Sequence, residues 1–395
     1  MERLTGAIQN YAWGSTTRLA ALRNEEPSSV PEAEIWYGAH PGASTTCDDG
    51  SSLLECINAN AVDMLGHSIV ERFGPRLPFL LKLLAADSPL SIQAHPSLEQ
   101  AKRGFAAEEA AGIARDAFDR SFKDDNHKPE LICALTPFEA LVGFRSLEET
   151  AELFETLELG FIPPFDKQGP KEVIKFLLDA DRFDEDDHGR WVEEIRKIVD
   201  HVVAAAAAYD GEKWADVCAL IGRLVEKYPG DPGVIVATML NYVILQPGEA
   251  LYLGAGNLHA YVSGLAVEIM ANSDNVLRGG LTPKHIDIPN LLDVVLPESM
   301  EPTLVTIDED GRYLTPAPDF ALRCLNLGDS TEIVGPCIVL STGGVVNVSQ
   351  REQSIALKST EACWLAVGER ANVSAESGQA WLATVGPQSS LTPSA

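Results

Sequence analysis

The hydrophobic pattern changes period twice along the chain. Residues 1–75 carry short apolar stretches broken by turns: YAWGS at Tyr11–Ser15, then EIWYGAHPGASTT at Glu34–Thr46, strand-like until Pro41 and Gly42 interrupt it. Leu53, Leu54 and Ile57 have helical spacing and predict a helix between Ser51 and Gly66. Pro78 to Leu84 is a continuous apolar run with one charge, Lys82, which reads as a buried strand. A lysine in such a run either snorkels from an edge or serves a site. A second short strand lies in PLSIQAHPS, Pro89–Ser97, and an Ala/Glu-rich surface helix is expected from Leu98 to Asp119. Pro129 pushes Lys128 toward an extended conformation. Strands are expected at Glu130–Leu135 and Phe138–Arg145.

At Ser146 the period becomes helical. Ser146-Leu147-Glu148-Glu149 has the form of a capping box. Five amphipathic stretches then follow up to about Asn241, one with five consecutive alanines at Ala204–Ala208, which are strong helix formers. The acidic run DEDD at 184–187 reads as a solvated turn and not as a metal site. Alternation returns at Ile244. From Gln246 to Asp287 short strands separated by Gly and Pro turns predict an antiparallel jelly roll or barrel. From about Glu301 a third, β-like stretch runs to a tail, GPQSSLTPSA, expected to be disordered. The expected fold is mainly β with an α-helical insert.

Composition narrows the partners. The 395 residues are 45% hydrophobic, enough for two or three domains. No apolar run is long enough to span a membrane, and MERLTGAIQNYAWGS has no secretory pattern. Seven scattered cysteines without a C-x-x-C pair suit a reducing cytoplasm. A net charge of −28 makes nucleic acid and anionic membrane surfaces poor partners. A small molecule is the expected partner and a monomer the expected state. An anionic substrate would need local cations to overcome the overall repulsion.

The candidate chemistry begins at Gln93 and His95. Two residues apart on an extended strand, they point the same way. Buried polar groups need partners, and a metal ion would satisfy both; solvent at a strand end would do so as well. Three further segments carry groups that could converge with them: Glu130 behind His127 and Lys128, His259 in GNLHAY, and the stretch holding Glu268, Asp274, Arg278, Lys284 and His285. Two His, one Glu and one Gln form a mixed N/O set that zinc accepts. Ferrous iron accepts a similar set.

Taken together, YAWGS, PFLLKLLAADSPLSIQAHPS, HKPELICAL, GNLHAY and EIMANSDNVLRGGLTPKHID resemble the type I phosphomannose isomerases over about the first three quarters of the chain. The resemblance implies a cupin-type jelly-roll barrel as catalytic domain (1–146 and 242–305), a helical domain (147–241) and a second, cupin-like domain (306–395). It implies one Zn2+ per chain, held by Gln93, His95, Glu130 and His259, and an active-site arginine at Arg278. The implied reaction interconverts mannose 6-phosphate and fructose 6-phosphate through an enediolate. Such chemistry needs a base, for which Lys128, Glu268, His127 and Lys284 are candidates. Lys82, Ser91 and Lys284 are the expected phosphate contacts. A sugar-binding cupin without turnover and an iron cupin oxygenase are the alternatives.

Overall fold

The computed structural model describes residues 1–160, 165–178 and 188–387. Its strands fall into a ten-stranded sheet, a nine-stranded sheet and one small two-stranded ribbon. Neither large sheet has a strand order that closes into a ring. The hub of the ten-stranded sheet is the long strand His259–Ala271. It pairs with Phe79–Ala86 from Gly264↔Ala86 to Ala271↔Phe79, and with Glu130–Ala134 from Ala266↔Ala134 to Met270↔Glu130. At its start it also pairs with Phe138–Phe144, and His259 stands opposite Gln93. The nine-stranded sheet is built mainly from residues beyond 312, around Cys337–Gln350 and Arg370–Thr384. It also takes in Glu2–Thr5, which pairs with Ala362–Leu365. The chain's first strand is thus part of the sheet that its last segment builds.

The two large sheets share one apolar core. Phe79, Leu81, Leu83 and Ala85 from one strand join Leu131, Cys133, Leu265, Val267 and Ile269, and meet Phe320, Leu322, Ile338, Leu340, Trp364 and Trp381. Because strand side chains alternate, the intervening residues Lys82, Glu130 and Glu268 face the other way. They are buried on the inner side of the ten-stranded sheet. The apolar run around Lys82 therefore has two buried faces, and only one of them is wholly apolar.

Helices Leu147–Thr156, Phe165–Leu178, His188–Ala208, Ala215–Lys227 and Gly233–Thr238 lie in sequence between strands Phe138–Phe144 and Leu240–Leu245. The Ser146 hydroxyl accepts from the Glu149 amide at 3.2 Å. The Glu149 carboxylate bonds the Ser146 hydroxyl at 3.1 Å rather than the Ser146 amide, so only half of the capping box forms. Three boundaries differ from expectation. The surface helix ends at Ala111, where Gly112 takes a left-handed C-cap. The helix between Ser51 and Gly66 is split into Leu53–Ala59 and Ala61–Leu65 at Asn60. Strand character resumes at Leu240, ahead of Ile244, because Leu240 already pairs with Phe144. The acidic run at 184–187 and the tail from 388 onward lie outside the described residues. No described helix is long and apolar enough to cross a membrane.

Candidate metal centre and its pocket

Three adjacent strands bring the first functional groups into line. Gln93 of strand Ile92–Ala94 is paired with His259 on one side and with Arg278 of strand Leu277–Gly280 on the other. Directly opposed residues in antiparallel strands share a face. His95 follows at the strand's end, where its carbonyl accepts from the Gly256 amide at 2.8 Å. Glu130 opens its own strand beside Met270 of the hub.

His95, Glu130 and His259 are all buried, and their ligand atoms lie within 4.8 Å of one another. Each imidazole uses Nδ1–H to donate to a main-chain carbonyl, His95 to Asn275 at 2.7 Å and His259 to Asn257 at 2.9 Å. This leaves the Nε2 lone pairs pointing at the Glu130 carboxylate, at 3.2 Å and 3.4 Å. Neither Nε2 has a hydrogen-bond partner. Two imidazole lone pairs facing carboxylate oxygens repel one another unless a cation lies among them. Metal-bound histidines are oriented in this way, by an N–H donated outward. Burial, reinforced by the Lys128 charge, pushes the His95 pKa down to about 4, so its ring stays neutral as a ligand must. Burial opposes ionisation of Glu130, but the Lys128 ammonium outweighs it and holds the carboxyl well below its usual range. Lys128 Nζ lies 3.0 Å from Glu130 Oε1, and the Tyr261 hydroxyl donates to Oε2 at 3.3 Å. The residues present fit a divalent cation bound by mixed N and O donors.

The Ser-Asp-Asn stretch at 273–275 braces the site. Asn275 is fully buried. Its side-chain amide donates to the carbonyls of Asp124 and Asn126, each at 2.8 Å, and its oxygen accepts from the Lys123 amide at 2.7 Å. The residue whose carbonyl orients His95 therefore also ties down the loop that delivers Lys128 and Glu130.

Above the centre opens a pocket of 230 Å³, whose wall includes Gln93, Glu130, Lys128, Lys82, Glu268 and Arg278. Lys82 serves this site, although its ammonium is already engaged, 3.0 Å from Glu268 and 3.3 Å from Glu34. Burial favours the neutral amine, yet Glu268 and Glu34 more than offset it and raise the Lys82 pKa. Lys82, expected as a phosphate contact, is thus held between two carboxylates. Burial, with Glu130 and Glu34 adding to it, raises the Glu268 pKa against the pull of Lys82. Lys82→Met would leave two buried carboxylates unpaired. Removing one member of a buried ion pair costs about 3–5 kcal/mol, and urea unfolding should show a loss of that order. A loss below about 1 kcal/mol would mean the carboxylates find other partners.

Arg278, Lys284 and Lys123 also line the pocket, and among the described residues none has a carboxylate within ion-pair distance. Burial, then the charges of Arg278 and Lys123, lower the Lys284 pKa, which places three cations within electrostatic reach. These are local cations of the kind an anionic substrate needs on a chain of net charge −28. Ser91 is half-buried and does not line the pocket. His127 is turned away from it and donates to Asp319 at 2.9 Å, so it is not placed to act as a base. His285 lies against Phe118. Glu34, Tyr261, Lys123 and the buried His40, which faces Asp274 at 3.4 Å, were not singled out from sequence. Tyr261 could have been found, since it shares His259's strand face two residues on.

A buried His-Glu-His group able to hold a metal ion, beneath a pocket lined by carboxylates and by cations that have no carboxylate partner among the described residues, is the kind of site a metal-dependent enzyme carries, here on two antiparallel sheets. The family pattern of phosphomannose isomerase type I, catalytic domain, matches residues 1–147. Mannose-6-phosphate isomerase of Escherichia coli is 38% identical over 93% of this chain and 95% of its own length. The human enzyme of the same name is 34% identical over 81% of this chain and 80% of its own. Among solved structures, a mannose 6-phosphate isomerase bound with zinc and yttrium matches with a TM-score of 0.85 at 36% identity, covering 98% of this chain and 100% of that one. A single-residue variant of phosphomannose isomerase from Salmonella typhimurium gives 0.86 over the same share. The chain belongs to the mannose-6-phosphate isomerase family and is an isomerase.

Proposed function

We propose that the chain interconverts mannose 6-phosphate and fructose 6-phosphate by proton transfer through an enediolate, with one zinc ion held by Gln93, His95, Glu130 and His259. The observation that carries this reading is the pair of unpartnered Nε2 atoms converging on Glu130, in a pocket that also holds the Glu268 carboxyl. A metal ion bound there supplies a Lewis acid for the oxygens on which charge develops.

The chain's own groups take the remaining roles. Glu268, whose raised pKa suits a carboxyl that must both take and return a proton, removes the C2 proton of the open-chain aldose. The C2–H electron pair becomes the C1–C2 double bond, and the carbonyl π pair moves to O1. Returning that proton to C1 while the O2 proton passes to O1 lets the O2–H electron pair form the C2 carbonyl, which leaves the ketose. Lys128, bonded to Glu130, keeps a positive charge next to the ligand carboxylate. Arg278, opposite Gln93, places a second charge toward the reacting oxygens. Lys284, joined by Lys123, receives the phosphate. The paired antiparallel sheets support a cupin-type description, with 1–146 and 242–305 as catalytic domain, 147–241 as helical domain and 306–395 as a second cupin-like domain.

Turnover of mannose 6-phosphate in heavy water, read by NMR, should place deuterium at C1 of fructose 6-phosphate or C2 of recovered mannose 6-phosphate. A product free of label under every condition would contradict proton exchange with a solvent-accessible base. Metal analysis of the active protein should return about one zinc per chain, and iron in its place would overturn the assignment.

A further inference from the structure

The turn between Arg278 and Lys284 is held from outside the sheets. Asp231 lies in the break between helices Ala215–Lys227 and Gly233–Thr238. Its Oδ1 accepts from the Gly233 amide at 2.7 Å and from the Leu281 amide at 3.1 Å, and its Oδ2 accepts from the Thr282 amide at 3.0 Å. The Thr282 hydroxyl in turn accepts from the Lys284 amide at 3.1 Å. An unbroken path of bonds thus runs from a carboxylate of the helical segment to the backbone of a pocket cation.

The backbone it grips adopts conformations that resist it. Leu281 has φ +54° and Gly280 has φ +125°. A left-handed conformation is unfavourable for an L-residue other than glycine, and Leu281 is buried, so water cannot satisfy its amide. Two carboxylate oxygens receiving these N–H groups supply charge-assisted bonds that offset the strain. The approach is backbone to backbone: a Cβ on Gly280 would sit 2.4 Å from Gly233 Cα, and one on Gly233 would sit 2.4 Å from the Leu281 nitrogen. Only glycine at both positions allows Asp231 to come this near.

We infer that Asp231 is a positioning residue that sets the Lys284 arm against Arg278, so that the pocket receives the phosphate end of its substrate. The inference rests on the phosphate role proposed for Lys284. It gives the helical segment a part in substrate binding although Asp231 does not line the pocket.

The test uses the full-length, zinc-loaded protein with inorganic phosphate as a competitive probe. Asp231→Ala should raise the phosphate inhibition constant and the KM for mannose 6-phosphate together, each about tenfold, with kcat changed less than about twofold, the signature of lost binding that is equal in ground and transition states. Zinc content should stay normal. Asp231→Asn keeps one acceptor oxygen and should fall between; it carries the test if the alanine variant does not fold. An unchanged phosphate inhibition constant in the variants overturns the inference, as does a fall in kcat with phosphate binding intact. Lys284→Ala separates the two levels. If it weakens phosphate while the Asp231 variants do not, only the positioning role fails. If it too leaves phosphate binding unchanged, the phosphate reading fails and takes the inference with it.

Discussion

His259→Ala should yield a folded protein with almost no bound metal and no measurable isomerase activity. The imidazole is one of three buried groups whose donor atoms converge within 4.8 Å. Losing a mere outer partner of a metal ligand typically costs 10–100-fold in affinity or activity. Losing the ligand itself should cost more than that ~10–100-fold, enough for dialysis against a chelator to strip the site. The helical segment should keep its far-ultraviolet circular dichroism, because the His259 ring lies against His95 and Tyr261, both in the sheet region. Chelation of the unaltered protein should abolish turnover in the same way, and added zinc should restore it in the unaltered protein alone. A His259→Ala preparation that is both metal-free and active would rule out the metal-assisted reading.

Arg278→Ala should lower kcat by ~10²–10³, roughly 2.7–4 kcal/mol, the usual result of removing one donor aimed at developing negative charge. Arg278 stands directly opposite Gln93, lines the pocket, and has its pKa lowered by burial. A guanidinium on that wall, without a carboxylate partner among the described residues, acts on whatever anion enters the pocket. In the proposed mechanism position separates the two anions: Arg278, beside Gln93, is assigned the reacting oxygens, and the Lys284 side of the turn the phosphate. The variant should therefore lose a similar fraction of its rate on mannose 6-phosphate and on unphosphorylated mannose, with zinc content unchanged. Loss confined to the phosphorylated sugar, seen mainly in KM, would make Arg278 an anchor like Lys284. The same pair of substrates would distinguish Arg278→Ala from Asp231→Ala, for which binding and not kcat should change.

Some of this was legible before any coordinates. The spacing of Gln93 and His95 placed both on one strand face, because a period of two is a property of the extended backbone itself. The apolar run around Lys82 read as a buried strand for the same local reason, and all eight residues of Phe79–Ala86 are buried. The switch to helical spacing at Ser146 marked the start of the helical segment, although half of its capping box does not form. The long motifs, read together, identified the family.

What periodicity could not decide was which groups meet. Lys82 read as a phosphate contact because its partners, Glu34 and Glu268, are 48 and 186 residues away and reach it only through the registers Trp36↔Lys82 and Glu268↔Lys82. His127 read as a candidate base because nothing local marks Asp319 as its partner. Nothing local marks Asp231, and only the close backbone approach of Gly233 to Gly280 makes it the clamp on the turn that leads to Lys284. The sequence by itself determined periods, strand faces and the kinds of donor available, all of which follow from local backbone geometry and side-chain chemistry. Tertiary structure decided which carboxylate neutralises which cation and which lone pairs are left for a metal, because ion pairing and desolvation depend on distances that only long-range register sets.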